Sequence, residues 1–156
     1  MIPATHLHAI LIHFPIALIL VGFFSEIIAL LSKRDFFKKS ASYLLLLGVL
    51  GVIAAYISGG YAGEGIEEGP LKIPMEMHED AALITLWIAI LTAFFQLVFT
   101  YFNYKKLWTR LVGLLLFLTL VSAVIRTGYL GGQLVYSHGA GVELALPDFN
   151  NPTTED

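Results

Sequence analysis

The chain has 156 residues, 57% of them apolar and 13% charged, with a mean hydropathy of +0.78 and a net charge of −3. A soluble domain is nearer half apolar and a quarter charged, so this composition belongs to a membrane protein, with no room for a separate soluble domain and no pointer to a nucleic-acid partner. The lack of cysteine excludes disulfides, thiolate-held iron–sulfur clusters and thioether-attached haem; any metal must be held by nitrogen or oxygen ligands or by one of three methionines.

Four apolar stretches, at about 9–31, 41–62, 81–104 and 111–136, each reach the ~20 residues that cross a bilayer core of ~30 Å. Strand-like alternation is absent, and lipid admits only helices or closed barrels. The sequence therefore predicts an all-α membrane protein: four transmembrane helices in an antiparallel bundle over 1–145, followed by a polar tail, 146–156.

The first stretch opens with His6-Leu-His8-Ala-Ile-Leu-Ile-His13-Phe-Pro15. No Lys or Arg precedes it and no small-residue cleavage site comes before Lys33, so it reads as an uncleaved span. Pro15 lacks an N–H and its ring crowds the preceding turn, so the helix is expected to begin or bend there, leaving His13 at a break from which its ring can turn inward. An imidazole facing hydrocarbon is costly unless hydrogen-bonded or ligated.

Lys33, Arg34, Lys38 and Lys39 follow the first span, and Lys105, Lys106 and Arg110 follow the third; these are seven of the nine cations, all on one side by alternation. That side is expected to be cytoplasmic, placing loops 32–40 and 105–110 inside a bacterial cytoplasmic membrane. The opposite loop, 63–80, carries Glu64, Glu67, Glu68, Glu76, Glu79 and Asp80 against Lys72 alone, so it and both termini are expected outside. All five histidines, His6, His8, His13, His78 and His138, then fall at the outer end.

The two halves resemble each other. His13-Phe-Pro-Ile-Ala-Leu-Ile opens the first span as His78-Glu-Asp-Ala-Ala-Leu-Ile opens the third, and Ser58-Gly59-Gly-Tyr-Ala-Gly63 closes the second as Thr127-Gly128-Tyr-Leu-Gly-Gly132 closes the fourth. This reads as duplication of a two-helix hairpin about an axis along the membrane normal. It predicts that His13 and His78 face each other as axial ligands of a b-type haem, with Ser58 and Thr127 as hydrogen-bond partners for their other ring nitrogens. Gly59, Gly63, Gly128 and Gly132 either let helices approach closely or leave space for a macrocycle, the first reading being the simpler. Arg126 sits inside an apolar span, to meet a haem propionate or to snorkel to the interface. Glu26, in the cytoplasmic third, is expected to be protonated or to hydrogen-bond a neighbour such as Gln96, a structural role being a simpler reading than a proton route or quinone contact. His8 and His138 are surplus to one haem and available for a second or for a separate metal, while the tyrosines and tryptophans near span ends read as an interfacial belt.

His8-x4-His13-Phe-Pro-Ile-Ala-Leu, His78-Glu and Thr127-Gly-Tyr-Leu-Gly-Gly-Gln-Leu-Val-Tyr-Ser-His138-Gly together resemble the membrane family catalogued as domain of unknown function 2231, over all four spans. The family's histidines map onto His8, His13, His78 and His138, with His6 an extra. Fusion of some relatives to c-type cytochrome or Rieske-type domains implies, by association, electron transfer on the outer face. The leading reading is thus a small b-type cytochrome passing electrons between the quinone pool and a periplasmic cytochrome c or Rieske-type partner, an electron-transfer protein rather than a stand-alone enzyme. The alternatives are a non-haem copper, iron or zinc site on the same histidines, or a cofactor-free structural or assembly subunit; a homo-oligomer is compatible with all three.

Overall fold

The computed structural model describes residues 2–66, 68–102 and 106–142; the polar tail at 146–156, Glu67, Tyr104 and Lys105 lie outside the described residues. Four helices make up the fold: α1 (Ala4–Ser32), α2 (Asp35–Ala62), α3 (Lys72–Tyr101) and α4 (Leu107–His138). All four are long and apolar enough to cross a membrane.

The helices overrun the apolar stretches that mark them, α3 by nine residues at its start. Hydropathy marks only the part of a helix suited to hydrocarbon, whereas the hydrogen-bonded backbone continues until something stops it. Here the stops are local. Pro3 precedes α1, and Pro70 and Leu71 precede α3. Lys33 closes α1 in the left-handed conformation at φ 56°, its N–H bonded to the Ala29 carbonyl, and Gly139 closes α4 at φ 67°.

Each helix packs on its two neighbours in the ring α1–α2–α3–α4, and among the described residues the diagonal backbones do not come within 8 Å. Along α1 and α2, His8 meets Gly59, Pro15 meets Gly51, Ile19 meets Gly48 and Gly22 meets Leu44 and Leu45. Numbers rise on one helix as they fall on the other, so the two run in opposite directions. The same inversion orders α3 on α4 (His78 with Gly131, Thr92 with Leu116, Gln96 with Gly113), while Ser42 with Gln96 joins α2 to α3 and Phe117 with Gly22 joins α4 to α1.

Glycines set the close approach of α1 to α2. A Cβ on Gly48 would lie 2.8 Å from Ile19 Cγ1, one on Gly22 3.2 Å from Leu44 Cβ, and one on Gly51 3.0 Å from Pro15 Cδ. Ile19, Leu45 and Leu120 form the fully buried centre, extended by Val49, Val52, Ala89, Phe117, Val121 and Val124. Large apolar side chains such as Phe14, Phe24, Leu50, Trp87, Phe94 and Leu115 are exposed. On a soluble protein so much exposed apolar surface would be a liability; around a membrane bundle it is what meets lipid.

Pro15 does not break α1, which runs unbroken through it. The proline faces inward and rests on Gly51. With that, the rotation of α1 is fixed, because seven residues is close to two full turns and two residues is roughly 200°. Residues His8, Pro15, Gly22 and Ala29, spaced by seven, share the inward stripe, and His13, two before Pro15, is carried to the opposite side.

Candidate histidine site

The end of the bundle where α1 begins and α4 ends is where α1 and α3 place their inward histidines. His8 is half-buried, and its Nδ1 lies 3.0 Å from Ser58 Oγ on α2. Ser58 is itself buried and its hydroxyl donates to the Ala55 carbonyl at 3.0 Å. Since a hydroxyl has one proton and this one is committed, Ser58 accepts and His8 Nδ1–H donates. The half-buried His78 ring donates Nδ1–H to the Thr127 carbonyl on α4, 3.2 Å away, because a carbonyl can only accept. Both neutral rings are thereby held in the same tautomer, leaving the Nε2 lone pair of each uncommitted.

The two rings are also seated alike. A Cβ built on Gly59 would stand 3.1 Å from His8 Cε1 and 3.5 Å from its Nδ1; one on Gly131 would stand 3.1 Å from His78 Cε1 and 3.5 Å from its Nδ1. Each imidazole therefore lies against a glycine of the neighbouring helix, at a place where a Cβ would crowd it.

These contacts set the register between the halves. His8 and His78 are 70 residues apart, and their glycine seats, Gly59 and Gly131, are 72 apart. Thr127 falls opposite Ala55, whose carbonyl lies beside the His8 ring, at the same offset of 72. Below His78 the two helices are pinned further: Thr85 Oγ1 donates to the Ala81 carbonyl at 2.8 Å, so Thr127 Oγ1 donates to Thr85 Oγ1, also at 2.8 Å.

The pairing expected of His13 with His78 is not formed. His13 is exposed on the outer surface of α1, its Nδ1 turned back to the Ala9 carbonyl at 2.6 Å. The helix runs through Pro15 rather than breaking, so no kink brings His13 inward, and His8 takes the place opposite His78. Ser58 and Thr127 do contact histidines, Ser58 serving His8 rather than His13, and Thr127 acting through its carbonyl rather than its hydroxyl.

Of the four glycines expected to matter, Gly59 seats His8 and Gly63 lies near Glu79, while Gly128 and Gly132 face open space. The glycine that matters on α4 is Gly131. Arg126, one residue from Thr127, is exposed on the outside of α4 and has no ion-pair partner among the described residues, where Lys72–Glu76 is the one ion pair, at 4.0 Å. His6 and His138 are exposed. Among the described residues no group of three or more His, Asp or Glu gathers to hold a metal ion.

Thr85, Ala55 and Gly131 did not stand out in the sequence. One signal could have found the inward histidine of α1: His8–Pro15–Gly22–Ala29 and His78–Thr85–Thr92 are strings of small or polar residues at intervals of seven, the spacing of a close-packed helix seam.

No curated protein and no solved structure matches this chain. A family model described as "Predicted membrane protein (DUF2231)" matches residues 4–144, which takes in all four helices and both histidine seats. The chain belongs to that family of multi-pass membrane proteins.

Proposed function

We propose that this protein is a small b-type membrane cytochrome in which His8 and His78 supply the two axial nitrogens of one haem. The observation that carries the reading is the matched pair of seats: two imidazoles on diagonal helices, each lying on a glycine, each with Nδ1–H committed and Nε2 free. A haem iron takes four nitrogens from its macrocycle and asks the protein for two, which is the number assembled here. A zinc or copper ion held by protein alone needs three or four ligands, and no such group gathers among the described residues; the non-haem reading is therefore the second one.

Bound iron would supply a one-electron couple. The chain's own contribution is to fix both ring tautomers, to keep the ligands half-buried and to hold the rings apart on separate helices that the bundle core makes rigid. The cation-rich opposite end, with Lys33, Arg34, Lys38 and Arg110, supports an orientation with the histidines outward in a bacterial cytoplasmic membrane. There the site would exchange single electrons with membrane quinols on one side and a c-type or Rieske-type redox protein on the other.

The test is optical. Full-length protein purified from haem-replete cells is expected to give a b-type reduced-minus-oxidised spectrum and about one haem per chain in a pyridine haemochrome assay. His8→Ala and His78→Ala should each abolish the low-spin bands, while His13→Ala and His138→Ala keep them. A colourless wild-type protein, or one whose bands survive loss of His8 and His78 but not of His13, overturns the assignment.

A further inference from the structure

At the end of the bundle away from the histidines, α1 turns one charged residue inward. Glu26 follows Ile19 and Gly22 on the inward stripe and is 9% exposed. Its Oε2 is buried and meets no hydrogen-bond donor. Gln96, the neighbour expected to satisfy it, donates instead to Ser42 Oγ at 3.0 Å. The cations nearest in effect are Lys38 on α2 and Arg110 on α4, which act on Glu26 electrostatically without either forming an ion pair with it. A buried carboxylate oxygen without a donor is costly, so a native fold keeps one where something else supplies the hydrogen bond.

Glu26 borders a recess of about 30 Å³, with Ala29 and Leu30 as apolar wall and Lys33, Arg34, Lys38 and Arg110 as the cations around it. Asp35 is the other acid there. The first turn of α2 starts beside it with no side-chain cap on its N–H groups, which adds to the pull on an anion at the rim. The polarity is thus layered: a carboxylate at the buried side and cations around the mouth. A purely anionic headgroup would answer the mouth and be repelled by the floor; a zwitterion with its ammonium leading answers both.

We propose that this recess is a binding site for the phosphoethanolamine headgroup of a membrane phospholipid, its ammonium on Glu26 and its phosphate among Arg34, Lys38 and Arg110. Hydrogen bonding selects the amine. The unsatisfied Glu26 oxygen asks for a hydrogen-bond donor, which –NH3⁺ supplies and a trimethylated nitrogen does not. The recess also lies where α1 ends and α2 begins, the level at which a spanning helix leaves hydrocarbon for headgroups, so a lipid reaches it without leaving the bilayer.

The test is a lipid titration of the detergent-purified full chain followed by native mass spectrometry, using phosphatidylethanolamine, its N-methyl, N,N-dimethyl and trimethyl (choline) derivatives, and phosphatidylglycerol. Affinity is expected to fall stepwise with methylation, by about tenfold in total, and Glu26→Gln should erase the series while leaving Arg34→Ala to weaken every phospholipid alike. Equal binding across the methylation series, tightest binding of phosphatidylglycerol, or a series unchanged in Glu26→Gln overturns the proposal. Tight binding of water-soluble O-phosphoethanolamine by lipid-free protein would assign the recess to a soluble ligand and overturn the lipid. Should Glu26→Gln fail to fold, the wild-type methylation series decides alone.

Discussion

Each imidazole at the candidate site depends on an atom that is absent. Gly59 and Gly131 lie so close to His8 and His78 that a Cβ would fall 3.1 Å from a ring carbon, tighter than ordinary contact. Gly59→Ala and Gly131→Ala should therefore push a ring out of its seat and lower haem retention severalfold, whereas Gly128→Ala and Gly132→Ala, which meet nothing within 4 Å, should leave it as in wild type; haem per chain after gel filtration reads the difference. The two rings are anchored by different chemistry. Ser58 offers His8 a hydroxyl and Thr127 offers His78 a backbone carbonyl, so only the first anchor can be removed by mutation. Ser58→Ala is expected to weaken haem binding by roughly 10–100-fold, the usual range for the partner of a ligating histidine. Thr127→Val keeps its carbonyl and should cost instead about 1 kcal/mol of stability, from the lost hydroxyl bond to Thr85. Transfer of haem to a competing apoprotein measures the first, and thermal unfolding in detergent the second. Equal loss in both variants would remove the distinction drawn between the anchors.

Among the contacts that hold the rotation of α1 is Pro15 on Gly51. The proline gives up a backbone hydrogen bond, and the glycine opposite lets its ring sit at backbone distance, a Cβ there falling 3.0 Å from Cδ and 3.3 Å from the proline nitrogen. Gly51→Val should overfill this rung and destabilise the protein by about 1–3 kcal/mol, seen as a lower Tm. Combined with Pro15→Ala, which returns the N–H and clears the ring, the penalty should fall below the sum of the single effects; strict additivity would mean the two residues do not share the contact. That rung also explains why the fold turns His8 inward where the sequence offered His13. The resemblance of His13-Phe-Pro-Ile-Ala-Leu-Ile to His78-Glu-Asp-Ala-Ala-Leu-Ile aligns apolar letters, and apolar letters recur by chance in any spanning helix. The side-chain register is set by what packs, and on that measure His8 answers His78, Gly59 answers Gly131, and Glu26 answers Gln96.

Over the whole molecule, the two ends carry opposite chemistry: imidazoles and carboxylates at one, lysines and arginines at the other. Because the chain has no cysteine, single cysteines introduced at Glu64 and at Arg34 can be labelled without background. In intact cells an impermeant maleimide is expected to label the first and spare the second, with the reverse in inside-out vesicles; the opposite pattern would turn the bundle over and place the histidines on the cytoplasmic side. The four spans, their number and approximate places, the gathering of histidines at one end and of cations at the other were all determined by the sequence, since crossing hydrocarbon demands about twenty apolar residues whatever surrounds them. Which histidines turn inward, which glycines seat them and where Glu26 points were decided only in the tertiary structure. The reason is that both the core of this bundle and the lipid around it are apolar. Hydropathy, which in a soluble helix marks the buried face, carries no phase here, and the inward stripe is chosen by close packing of small residues such as Gly48, Gly51 and Gly59 against Ile19, Pro15 and His8.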